Sequence, residues 1–93
     1  MIRFPKKIKG REDRLSITIP RNISREYGLE PGDDVKITLT DKPKNPTFEI
    51  QFVKTISKCG LSGGTLLYVP KRIVHKHNLQ RNMSFWVTVE EAF

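Results

Sequence analysis

Short stretches of this 93-residue chain alternate strictly between apolar and polar side chains. In Leu15-Ser16-Ile17-Thr18-Ile19 the odd positions are apolar and the even ones polar, the period of a half-buried strand. Val35-Lys36-Ile37-Thr38-Leu39 and Phe48-Glu49-Ile50-Gln51-Phe52 repeat the pattern, and Ile2-Arg3-Phe4 is a weaker counterpart near the start. Between the strands, Pro20 and Pro70 each open a short helix, a place where proline gives up no needed hydrogen bond. Gly28 and Asn78 end those helices as left-handed caps. Pro31-Gly32 forms a tight turn into the next strand, while Gln80-Arg81-Asn82-Met83 must turn without the proline.

The same pattern occurs twice. Residues 17–39 return fifty positions later as residues 67–89, with Gly10/Gly60, Pro20/Pro70, Ile23/Ile73, Leu29/Leu79 and Thr38/Thr88 identical. Gly28 becomes Asn78 and Gly32 becomes Asn82, and asparagine is the residue after glycine that best tolerates the left-handed region. Backbone geometry is therefore what repeats. Each half reads strand, loop, strand, short helix, turn, strand. Doubled, this predicts an all-β domain with two short helices, its six strands closed into a small barrel about a pseudo-twofold axis. Closure would also remove the unpaired edges that invite aggregation. The expected organisation is one barrel domain over 1–93: repeat one about 1–40, a polar linker 41–47, and repeat two about 48–93. Neither half is long enough to bury a core of its own.

Charge narrows the class of partner. The net charge is +7. Residues 1–11 hold five basic residues and no acid, and no acid falls between Glu49 and Glu90. A polyanion is the natural partner of such a surface, against the alternative of a basic surface that serves only solubility. One cysteine, Cys59, excludes an internal disulfide and fits a reducing cytoplasm. No apolar run approaches a membrane span, and no signal-peptide core is visible at the start, so no membrane association is expected.

The stretch ITIPRNISREYGLEPGDDVKITL resembles the SpoVT/AbrB family, which includes bacterial transition-state regulators and MazE-like antitoxins. Pro20, Ile23, Gly28, Leu29, Pro31, Gly32 and Asp33 carry the likeness. The second copy keeps Pro70, Ile73 and Leu79, with Asn78, Asn82 and Met83 where the family has Gly, Gly and Asp. The resemblance implies a swapped-hairpin dimer fused into one polypeptide, as in cradle-loop barrels: a monomer acting as a pseudo-dimer. It also implies a transcriptional regulator that binds double-stranded DNA through basic residues of the first strand, the following loop and the helix. By position these are Lys7, Lys9, Arg11, Arg14, Arg21 and Arg25 in the first copy, and Lys58, Lys71, Arg72, His75 and Lys76 in the second.

Other constellations are weaker. Gly60-Leu61-Ser62-Gly63-Gly64 matches the written form of a hydrolase nucleophile elbow, but it sits between two strands rather than between a strand and a helix. It also lacks the Lys-Ser/Thr ending of a phosphate-binding P-loop, so a plain hairpin loop is the simpler reading. His75 and His77 lie two apart on a helix and face different ways. No metal site, cofactor or catalytic group is expected, and the chain does not read as an enzyme. Leu66, Tyr68 and Trp86 replace Ser16, Thr18 and Lys36 on the outward face, a partner patch suited to docking a protein, stacking on a base or forming a dimer contact, unless the N-terminal segment or the linker covers it. The alternative function is accordingly a non-enzymatic module binding a protein or an anionic ligand, antitoxin-like or nucleotide-binding.

Overall fold

The computed structural model describes residues 2–11, 14–59 and 64–91, with Cys59 and Glu91 described by backbone alone. Among these residues, eight strands and two helices follow in chain order. They are β1 (Ile2–Lys7), β2 (Lys9–Arg11), β3 (Arg14–Ile19), α1 (Arg21–Glu26), β4 (Asp34–Thr40), β5 (Glu49–Thr55), β6 (Ser57–Cys59), β7 (Gly64–Tyr68), α2 (Lys71–His77) and β8 (Ser84–Glu91). Two antiparallel sheets result, ordered β1-β8-β4-β5 and β2-β3-β7-β6. The two expected strands that now appear as four are each broken at one residue. Ile8 separates β1 from β2 and Ile56 separates β5 from β6, and at both points the chain passes from one sheet to the other.

The break is made the same way twice. The N–H of Ile8 donates to Met83 O and its carbonyl accepts from Asn82 N, each at 2.9 Å. Ile56 makes the matching bonds with Asp33 O and Gly32 N, each at 2.8 Å. Each repeat's first strand is thus gripped by the other repeat's turn. Both isoleucines are buried among side chains from the two sheets, in a core that includes Phe4, Ile17, Ile37, Phe52, Leu67 and Val87.

Pairing across the repeats follows a pseudo-twofold. In β3 and β7, Ile17 faces Leu67; in β4 and β8, Thr38 faces Thr88. Each is a residue facing its own counterpart fifty positions on. The first strands obey a different offset. Ile8 and Ile56 are forty-eight apart, and Gly10 (facing Leu15) has Lys58 (facing Thr65) as its equivalent. The Gly10/Gly60 correspondence is therefore corrected: that identity is a coincidence of alignment. Two residues separate Arg11 from Arg14 and four separate Cys59 from Gly64, and this difference absorbs the two-residue drift.

Local geometry is the expected one. Gly28, Gly32, Asn78 and Asn82 have φ of 65°, 99°, 50° and 74°. Pro20 and Pro70 sit one position before the helices, both at φ −56° and ψ 138°. In the first turn the Asp33 carboxylate accepts from Glu30 N at 2.9 Å; in the second, Met83 Sδ takes the same place beside Gln80 N at 3.1 Å. A thioether is a weak acceptor, so the second turn is held less firmly. The linker folds over the first sheet: Arg3 donates to Thr88 Oγ1 at 3.2 Å and to Pro43 O at 2.6 Å. No helix among the described residues is long and apolar enough to cross a membrane.

Candidate nucleic-acid interface

All eleven basic residues expected at the interface are exposed: Lys7, Lys9, Arg11, Arg14, Arg21, Arg25, Lys58, Lys71, Arg72, His75 and Lys76. The β3–β7 pair distributes them. At one end, α1 contacts β7, and Arg21 and Arg25 line a cleft with Gly64 and Thr65. Lys58 faces Thr65 in the sheet and so joins this group. At the other end, Arg11 faces Arg14, and the Arg14 guanidinium lies 4.1 Å from the centre of the Tyr68 ring. Three residues after Tyr68 the chain opens α2, which carries Lys71 and Arg72. Lys7 faces Ser84, and Lys9 lies near it beside the turn that follows α2.

Five residues of strand separate the two ends, about 17 Å at ~3.3 Å per residue. Acids accompany both groups. Glu26 lies on α1 and Glu30 lines its cleft, while α2 (KRIVHKH) contains no acid. In the chain, Glu12 and Asp13 fall between Arg11 and Arg14 of the second group. A further cleft of ≈ 300 Å³ beneath the linker mixes Arg3, Lys36 and Lys42 with Glu49 and Glu90. The two carboxylates offset most of its attraction for a polyanion.

The expected aromatic patch is not continuous. Leu66 is buried, 8% exposed, facing Thr18 on one side and Ser57 on the other. Tyr68 is half-buried beneath Arg14 in the same sheet. Trp86 is half-buried in the other sheet, between Pro5 and Thr40. Leu66 and Tyr68 share β7 while Trp86 lies on β8 of the other sheet, and Leu66 is buried, so the three do not present one continuous exposed face. Sequence reasoning passed over Tyr27, 52% exposed at the end of α1, and the hydroxyls of Ser24 and Thr65. The signal for Tyr27 was present: its counterpart His77 is polar, so the position faces outward in both copies.

Among the described residues no group of three His, Cys, Asp or Glu side chains could hold a metal ion. The glycine-rich stretch 60–63 lies outside the described residues. Comparison with family models and with curated proteins finds no match.

Proposed function

We propose that the chain is a DNA-binding protein of the SpoVT/AbrB type, a single-chain pseudo-dimer that engages duplex mainly through phosphate contacts. The observation that carries this reading is the gathering of exposed cations at both ends of the β3–β7 pair, where the pseudo-twofold sets two basic groups on one sheet. The barrel is part of the proposal. Taken as single bent strands, residues 2–11 and 49–59 each pair with one strand in either sheet, so six strands form a ring in which every strand has two neighbours. A cytoplasmic location, a monomeric state and a regulatory role belong to the same reading.

Phosphate contacts position a protein without reading bases. Affinity should therefore fall with salt and vary little with sequence. Neutralising about six phosphates gives a slope of log K on log salt near −5. Fluorescence anisotropy with a generic duplex tests it. Replacing Lys71, Arg72 and Lys76 by Gln should reduce the slope by about 3, and replacing Arg21 and Arg25 by about 2. A slope near zero, or no binding at low salt, rejects the proposal. The protein-docking alternative loses its support with the division of Tyr68 from Trp86. The anionic-ligand alternative keeps one observation, developed next.

A further inference from the structure

The pseudo-twofold makes the α1 cleft informative, because the same backbone occurs twice with different side chains. Leu29 N donates to Ser24 O and Leu79 N donates to Val74 O, both at 2.9 Å. At the first frame, Arg21 and Arg25 face Gly64 and Thr65 across a cleft of ≈ 320 Å³, with Ser24 and Glu30 completing the wall. The Ser24 hydroxyl donates to Leu29 O at 2.7 Å, and Thr65 Oγ1 donates to Ser24 Oγ at 3.3 Å. At the second frame the positions of Ser24, Thr65 and Gly64 are taken by Val74, Leu15 and Arg14. Each swap trades a small or hydroxylic residue for a larger or apolar one, and Arg14 is engaged with Tyr68. Duplication kept the two frames; divergence furnished one of them with hydroxyls and paired guanidiniums.

We propose that this cleft binds one phosphate monoester of a hydroxyl-bearing compound, of the sugar phosphate or nucleoside monophosphate class. The inference goes beyond the duplex reading, although it shares Arg21 and Arg25 with it. Two guanidinium forks match the oxygens of a phosphate dianion. The Thr65 hydroxyl, whose bond to Ser24 is long, can turn to a ligand oxygen. Glu30 decides the class: a carboxylate accepts hydrogen bonds only, so it repels a second phosphate and accepts from a sugar hydroxyl. The volume lies at the lower end of small-molecule sites, about 300–1,000 Å³.

The test is an NMR titration of the whole chain with adenosine 5′-monophosphate, with inorganic phosphate, and with a generic duplex. The nucleotide should move the amides of Gly28, Leu29 and Thr65 saturably, with Kd below about 1 mM, and leave Leu15, Asn78 and Leu79 unmoved. Inorganic phosphate should bind at least ~10-fold more weakly, since it cannot use Glu30. The double variant Ser24→Val/Thr65→Leu, which installs the residues of the other frame, should weaken the nucleotide about 10-fold while duplex affinity changes less than about 2-fold. Should that variant not fold, the isosteric substitution Thr65→Val removes only the hydroxyl from the cleft and should discriminate in the same way, Thr65 being outside the duplex interface. No saturation by about 10 mM nucleotide, equal movement at both frames, or phosphate binding as tightly as the nucleotide overturns the proposal. Because duplex binding is read on the same samples, its loss and the loss of nucleotide binding are separately visible.

Discussion

Among the described residues, five left-handed positions (Gly28, Gly32, Asn45, Asn78 and Asn82) and one crowded glycine set the conformational demands. At Gly28 and Gly32 a Cβ would meet nothing within 4 Å, although φ is positive. The demand there is on φ alone, which asparagine can meet, and the second repeat has asparagine at both places. Gly10 differs. Its φ is 100°, and a Cβ would run into the carbonyl oxygen of Arg14. Gly28→Asn should therefore cost under about 1 kcal/mol, whereas Gly10→Ala should cost about 2–3 kcal/mol or more. Urea denaturation of the two variants checks the contrast. Equal losses would mean that the close approach at Gly10 is not what excludes a side chain.

At the scale of elements, the alternation of Leu15–Ile19, Val35–Leu39 and Phe48–Phe52 made the strands legible, and the proline and Gly/Asn pairs made the helices legible. Both signals are local, and the structure keeps them except at Phe48, which precedes β5 and is 41% exposed. The drift of the first strand was not legible: a constant offset joins Gly10 to Gly60, and the correction comes only from knowing that Gly10 faces Leu15 while Lys58 faces Thr65. Nor could alternation separate Trp86 from Tyr68, since it assigns a side chain to a face without saying of which sheet. The cleft depended on both kinds of information. Its cations were visible in sequence, but its hydroxyls meet only because α1 of one repeat lies on β7 of the other. The linker offers its own test. The Asp41 carboxylate accepts from Thr47 Oγ1 at 2.5 Å and from Thr47 N at 2.9 Å, and the hydroxyl bond above all holds its pKa below the ordinary 3.8. A lowered carboxylate pKa contributes stability fully present above the unfolded value and lost as pH falls through the folded one. This clasp should thus hold at neutral pH and open below pH 3.8. A pH titration of the Thr47 amide shift reads it, and Thr47→Val should bring the Asp41 midpoint back up.

For the whole molecule, extents of 31 × 29 × 22 Å limit how much duplex the proposed DNA-binding mode could cover. At ~3.4 Å per base pair, the longest dimension spans about nine pairs. Nuclease footprinting should accordingly show one short protected stretch per chain, and protection of twenty pairs would require several copies. The basic composition is one ground for proposing such a partner; the grouping of cations at the ends of one strand pair needed the tertiary arrangement.

The exchange of strands between the halves carries a further consequence. Because β3 pairs with β7 and β4 with β8, each half on its own lacks the neighbours that complete its sheets. Expressed separately, 1–44 and 45–93 should show little ordered structure, and mixing them should restore it. Cutting the backbone at Lys44–Asn45 would then turn a first-order folding event into a second-order one. The melting temperature of the nicked protein should rise with dilution reversed, that is, with concentration, as mass action requires. In the intact chain the linker's service is to fix the effective molarity of one half about the other, typically millimolar for a short flexible tether.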